Sequence, residues 1–152
     1  MYGKLYSVKQ VRELDRIVIE KFSVSGYELM QRAGRFSYET LKQRYPWKSH
    51  TIAVICGCGN NAGDGYVLAK LATEDQDEKG RQIRIYNCFN PKKLKGDAKR
   101  TYQELLTLDP DFVDIYKYFE NDDLTDKLFV EPGLFGLGVM DAVIVDAIFG
   151  TG

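Results

Sequence analysis

The strongest constraint on the fold is the join at Cys56. An unbroken apolar run, Thr51 to Cys56, passes without a spacer into the glycine-rich segment Gly57 to Gly65. A short run with no polar alternation fits a strand covered on both faces, the signature of a parallel sheet. The segment after it predicts a turn over Gly59–Gly65 and then a helix from about Tyr66 to Thr73. A strand, a glycine-rich turn and a helix in that order is the opening of an open α/β sheet. Its ligands sit outside the carboxyl ends of the strands.

The rest of the chain repeats the alternation. Ser7 to Gln10 reads as a capping box, with Val11, Leu14, Val18 and Ile19 on one helical face behind it. Ser25 to Glu28 opens a second helix, with Leu29, Met30, Ala33, Phe36 and Leu41 as its apolar positions and Pro46 beyond its end. Further strands are predicted at Gln82–Cys88, Phe112–Tyr118 and Ala142–Val145. Helices are predicted at Asp97–Leu108, with Tyr102, Leu105 and Leu106 inward, and at Leu124–Val130. Alternating strands and helices imply right-handed crossovers. The expected fold is therefore α/β, a Rossmann-like three-layer sandwich with a mostly parallel sheet and two leading N-terminal helices packed on it.

A chain of 152 residues suits one domain, and the whole of 1–152 reads as one. The last residues, Ala147 to Gly152, read as a loop leaving a strand, so the domain is expected to be incomplete at its C-terminus. With 44% hydrophobic and 28% charged residues the composition is globular. A formal net charge of −1 gives no general pull toward nucleic acid or anionic membrane. No apolar run approaches the roughly 20 residues needed to span a bilayer, and the start has no signal core. With no address visible, the expectation is a cytoplasmic protein with neither nucleic acid nor membrane as partner. Three cysteines, Cys56, Cys58 and Cys88, make a poor disulfide framework and read as buried thiols.

Two turns carry the chemistry. In the first, glycines are expected to permit positive φ and a close approach to a ligand. A helix N-terminus adds N–H groups and partial positive charge suited to phosphate. Gly57, Gly59 and Ala62 match the dinucleotide fingerprint only loosely. The end of the second strand offers Asn87 and Asn90 where that fingerprint wants a ribose-binding acid. No P-loop lysine follows. Asn60, Asn61 and Asp64 place amide and carboxylate oxygens beside donor N–H groups, a set able to hold a polar ring, a phosphate and a hard cation. In the second turn, Asp146 ends an apolar strand, where it needs a metal ion, a ligand hydroxyl or a backbone cap as partner. Gly150, Thr151 and Gly152 add backbone donors and a hydroxyl.

Both turns, in this order, resemble the NAD(P)HX epimerase family, the YjeF N-terminal domain. The likeness rests on Gly59–Gly65, on Asp146–Gly152, on the helical segment Leu29–Gly34 and on Gly96–Ala98. It implies interconversion of the R and S epimers of hydrated NADH and NADPH (NADHX and NADPHX), followed by an ATP- or ADP-dependent dehydratase, fused or separate. By resemblance, Asn60, Asn61, Ala62, Gly63 and Asp64 contact the hydrate's phosphate, Asn61 and Asp146 bind a potassium ion, and Gly150, Thr151 and Gly152 begin a second substrate loop. The family's catalytic aspartate falls beyond residue 152, so no catalytic residue is assigned and the chain by itself is expected to be inactive. Ala62 departs from the family's glycine. Family members often pair as homodimers through their leading helices.

Other residues read as structural. His50 and Trp47 are expected at the surface and in packing. Lys92, Lys93, Lys95, Lys99 and Arg100 are read as a solvated basic face, and Tyr116, Tyr118 and Phe119 as core. The competing class is a non-catalytic scaffold of the same fold that binds a nucleotide or a protein, or a regulator that binds without turnover.

Overall fold

Local chemistry sets the first two helices of the computed structural model, which describes residues 5–45, 51–75, 82–108, 113–116 and 142–150. Ser7 Oγ accepts from the Gln10 N–H at 3.3 Å while Gln10 Oε1 accepts from the Ser7 N–H at 2.8 Å, completing the capping box of α1, Val8–Phe22. The helix ends at Ser23, in the left-handed region at φ 54°. Ser25 Oγ accepts from the Glu28 N–H at 3.1 Å and starts α2, Gly26–Arg44.

The chain then alternates: β1 Thr51–Cys56, α3 Asn60–Glu74, β2 Ile83–Asn87, a single 3₁₀ turn Pro91–Lys93, α4 Gly96–Leu105, β3 Val113–Tyr116 and β4 Ala142–Ala147. The strands form one parallel sheet in the order β3-β2-β1-β4. Chain order runs outward from β1 to β3 on one side and resumes with β4 on the other. The crevice between the ends of β1 and β4 is thus the topological switch point. Cys56 is level with Asn87 on one neighbour and with Ala147 on the other, so three strands end together.

The core lies between the sheet and α3. Tyr66, Leu68 and Ala69 of α3 are buried with Ile52 and Val54 of β1 and Ile83 and Ile85 of β2. On its outer side α3 meets α2 and α4. Gly34 makes the α2 crossing close, since a Cβ there would stand 2.5 Å from Val67 Cβ. Polar ties fix the helix layer: Glu104 accepts from Tyr27 Oη at 2.7 Å and pairs with Lys70 Nζ at 3.4 Å, and Asp75 accepts from Tyr38 Oη and Lys42 Nζ, each at 2.6 Å.

The α/β class and all four strands form as the sequence predicts. Three readings need correction. First, among the described residues the leading helices rest chiefly on other helices rather than on the sheet. α2 rests on α3 and α4, and α1 rests on α2 without burying any residue. Second, of the apolar positions named for α2 only Met30 and Leu41 are buried, joined by Gly34 and Tyr38, while Phe36 is 74% exposed. Third, Leu106 caps α4 rather than facing inward and is exposed. Trp47, His50, Tyr118, Phe119, Leu124–Val130, Thr151 and Gly152 lie outside the described residues.

Candidate functional site

The predicted turn at Gly59–Gly65 is a helix. α3 begins at Asn60, directly behind Gly59 as N-cap, not at Tyr66. The first turn forms early because its small residues let it settle into the sheet. A Cβ at Gly65 would meet Ala147 Cβ at 2.7 Å and Val54 Cγ1 at 3.1 Å, and one at Gly63 would meet Met30 Sδ at 2.4 Å. These glycines therefore serve close packing, not positive φ. Among the described glycines only Gly96 has a left-handed φ, at 53°. Ala62, where the family has glycine, is fully buried.

The helix start is left open to a ligand. Ser7 and Ser25 cap α1 and α2 through their side chains, whereas Gly59 supplies no side-chain cap to α3. The backbone N–H groups of the first turn and the positive end of the dipole thus point out of the carboxyl end of β1.

Backbone bonds zip the strand ends. Gly57 N–H donates to Ala147 O at 3.0 Å, and Cys88 N–H donates to Cys56 O at 2.9 Å. Asn61 Nδ2 then reaches across the switch point and donates to Phe149 O at 3.2 Å. Gly150 sits against it, since a Cβ there would be 3.0 Å from Asn61 Cβ. The two turns singled out in the sequence are joined by these contacts.

Above them opens a cleft of about 910 Å³. Asn60, Asn61, Asp64 and Gly150 line it. Ala62 and Gly63 face the packed interior instead and can offer a ligand backbone only; the Ala62 N–H is already bonded to Gly59 O at 3.1 Å. Asp146 is exposed on β4 and is not among the cleft's lining residues; its Oδ1 accepts from the Ile148 N–H at 2.9 Å, the backbone cap that was one of the alternatives for it. Thr151 and Gly152 lie outside the described residues.

Asp64 has the most perturbed carboxyl of the cleft. Burial, with the charge of Asp15 adding to it, pushes its pKa up to about 6. Beneath the cleft, Tyr66 Oη donates to Asn87 Oδ1 at 2.7 Å, and burial raises the Tyr66 phenol and the Cys56 thiol. Neither asparagine at the end of β2 is placed to bind a ribose. Asn87 is 1% exposed, and Asn90 Oδ1 accepts from the Lys92 N–H at 2.9 Å. Phe89 lines the cleft there instead. Cys56 is buried as expected, but Cys58 is exposed and also lines the cleft.

Besides Cys58 and Phe89, sequence reasoning missed the two charged side chains that α1 brings to the cleft, Arg12 and Asp15. Their spacing of three residues puts them on one helix face, but nothing local says that this face looks at residues fifty positions away. The basic cluster does not line the cleft; Lys92, Lys93, Lys95 and Lys99 are exposed, and the Arg100 guanidinium stacks 3.6 Å above the Tyr27 ring.

The parallel sheet, its right-handed alternation with helices and the switch point define a Rossmann-like α/β domain. More narrowly, the chain belongs to the family described as YjeF-related protein N-terminus, whose model matches residues 26–152. It is 37% identical over 148 residues to the bifunctional NAD(P)H-hydrate repair enzyme Nnr of Coxiella burnetii, covering 97% of this chain and 25% of that protein. It is 32% identical over 151 residues to the NAD(P)H-hydrate epimerase of Roseobacter litoralis, covering 97% of this chain and 64% of the relative. The chain thus spans less than two thirds of either relative. In fold it is similar to the crystal structure of yeast ynu0, with a TM-score of 0.69, 23% identity, and coverage of 98% of this chain and 58% of that one. Among the described residues no helix is long and apolar enough to cross a membrane.

Proposed function

We propose that this domain epimerises the R and S forms of hydrated NADH and NADPH. The observation that carries the reading is the Asn61 bridge to Phe149 O, because it draws the two family turns together at the mouth of one cleft beside an uncapped helix start. The relatives' names agree with it. In this reading the start of α3 holds a phosphate of the hydrate, with Asn60, Asn61 and Asp64 around it and Gly150, Thr151 and Gly152 opening the opposite wall.

Epimerisation at the ring carbon breaks and remakes a C–O bond or opens the ring, and either route needs a proton donor and acceptor. Asp64 is half protonated near pH 6 and so presents a hydrogen-bond donor to an anion in part of the molecules below neutrality. It is read as a binding group, and the catalytic aspartate is assigned to the protein outside residues 1–152.

Potassium belongs to the same proposal. Asn61 and Asp146, its ligands by resemblance, carry the oxygen donors that a hard monovalent ion takes; Asn61 lines the cleft, and Asp146 stands outside that lining with one oxygen engaged by the Ile148 N–H. No group of three or more His, Cys, Asp and Glu suited to a metal occurs among the described residues. Potassium would supply positive charge that joins the two turns. Asp146→Ala is expected to abolish any rise in melting temperature caused by potassium over sodium. An equal response in wild type and variant refutes the ligand assignment.

A dehydratase, fused or separate, is the proposed partner, and the cytoplasm the proposed location. Pairing of two copies through α1 is supported by the exposed Leu14, Ile19 and Phe22. The deciding assay supplies the R hydrate with an S-specific dehydratase and its nucleotide and follows the recovery of reduced cofactor. Recovery above the spontaneous rate supports the epimerase. ADP-ribose binding without recovery, by this chain and by a longer form alike, favours the scaffold.

A further inference from the structure

The cleft has a third wall, and it belongs to neither turn. Arg12 and Asp15 project from α1 into the space bounded by Asn60, Asn61 and Asp64. α1 fully buries no residue and rests on α2 through the half-buried Val11, Ile17 and Val18, which leaves the charged face at Arg12 and Asp15 to the cleft. Its capping box and its left-handed stop at Ser23 fix where the helix begins and ends, and hence where Arg12 emerges.

We infer that Arg12 is the cationic contact for the phosphoryl groups of the ligand, which makes α1 a working wall of the site. Charge decides the argument. A dinucleotide carries two negative phosphates, and the start of α3 answers with only about half a positive charge. Asp15 and Asp64 add negative charge to the same cleft, and Arg12 is its one basic side chain among the described lining residues. The exposed lysines after β2 do not line it. A guanidinium forks onto two phosphate oxygens at once, which an N-terminal helix dipole cannot do. Asp15 has the opposite effect. Its charge disfavours a second anion nearby, and it adds to burial, the larger cause, in raising the proton affinity of Asp64. Arg12 is therefore a binding residue, and Asp15 a brake on anion affinity.

The inference rests on the proposed function only for the identity of the anion; the electrostatics hold for any phosphoanhydride. Binding of inorganic pyrophosphate and of ADP-ribose to the full chain is measured by calorimetry at two salt concentrations, for wild type, Arg12→Ala, Arg12→Lys and Asp15→Asn. Losing a forked, charge-assisted contact should weaken both ligands about tenfold or more in Arg12→Ala, with partial recovery in Arg12→Lys. Asp15→Asn should tighten both about threefold, and its gain should shrink in high salt. Opposite signs from neighbouring surface positions are not what a loss of structure produces, and unchanged helical circular dichroism confirms the fold. In the epimerisation assay the KM of Arg12→Ala rises while kcat holds.

The assignment is overturned by Arg12→Ala affinities within about twofold of wild type, by weaker binding in Asp15→Asn, or by a wild type that binds neither probe. Pyrophosphate binding that depends on Arg12 in a chain without epimerase activity keeps the assignment and removes the hydrate reading. Intact epimerisation with Arg12-independent binding does the reverse.

Discussion

Replacing Gly57 by alanine plants a carbon 2.0 Å from the carbonyl oxygen of Ile148 and 2.9 Å from its carbonyl carbon. Both obstacles are backbone, so no side chain can swing aside. Restoring ordinary contact requires the two strand ends to part by roughly 1.4 Å. That separation strains the bond from Gly57 N–H to Ala147 O, now 3.0 Å. A lost hydrogen bond of about 1 kcal/mol and overpacking of about 2 kcal/mol together predict a destabilisation of about 3 kcal/mol. For a domain of this size that is a fall in melting temperature of about 10 °C. Gly59→Ala is the matched control: nothing lies within 4 Å of its added carbon, and only the weaker N-cap preference of alanine counts against it, under about 1 kcal/mol. The parted ends should also pull Phe149 O away from Asn61, so Gly57→Ala should bind ADP-ribose about tenfold more weakly even where it is fully folded. Scanning calorimetry and titration read both effects. A Gly57→Ala variant that melts within about 2 °C of wild type and binds equally well would refute the claim that the turns after β1 and β4 touch backbone to backbone.

Asp64→Asn tests the buried carboxyl through pH. The folded-state pKa of about 6 lies above the unfolded value, so the contribution of Asp64 to stability is lost as pH climbs from about 4 to about 6 and is level above that. The full shift is worth about 3 kcal/mol; solvent reaching the partly exposed carboxyl reduces it to about 1–1.5 kcal/mol. Urea midpoints should therefore show Asp64→Asn gaining on wild type between pH 4.5 and 7.5, and a constant difference would contradict the burial. Tyr66→Phe deletes the hydroxyl that donates to buried Asn87 and should lower stability by about 1–2 kcal/mol at unchanged m-value; an unchanged midpoint would mean that this bond contributes nothing.

Sequence periodicity determined the strands. Thr51–Cys56 and Ala142–Val145 are unbroken apolar runs and both lie within parallel strands; β1 is covered on both faces as such a run predicts, whereas Ile144 of β4 is 49% exposed. Serine chemistry likewise marked the starts of α1 and α2: the box at Ser7 is complete, whereas the box expected at Ser25–Glu28 forms only its serine half, the Glu28 carboxylate pairing with Arg32 instead. The membership of the cleft was half legible. Asn60, Asn61, Asp64 and Gly150 stand in segments whose density of glycine and amide groups has a local meaning.

What the tertiary structure decided was packing across distance. Glycine in a sequence signals freedom of φ, but at Gly57, Gly63 and Gly65 it is the missing Cβ that matters, and its need arises from Ile148, Met30 and Ala147 on other elements. The same cause turned the expected loop into the first turn of α3. The buried face of α2 is set by its helical partner: the close crossing with α3 selects Gly34, while Phe36, as apolar as any position of the helix, is left to solvent. Arg12 and Asp15 were silent for the same reason. A charged pair on a helix surface looks solvated until the fold brings another helix's N-terminus beneath it. Local hydrogen bonding and periodicity are written within a few residues; steric fit and electrostatic neighbourhood exist only once the chain has closed on itself.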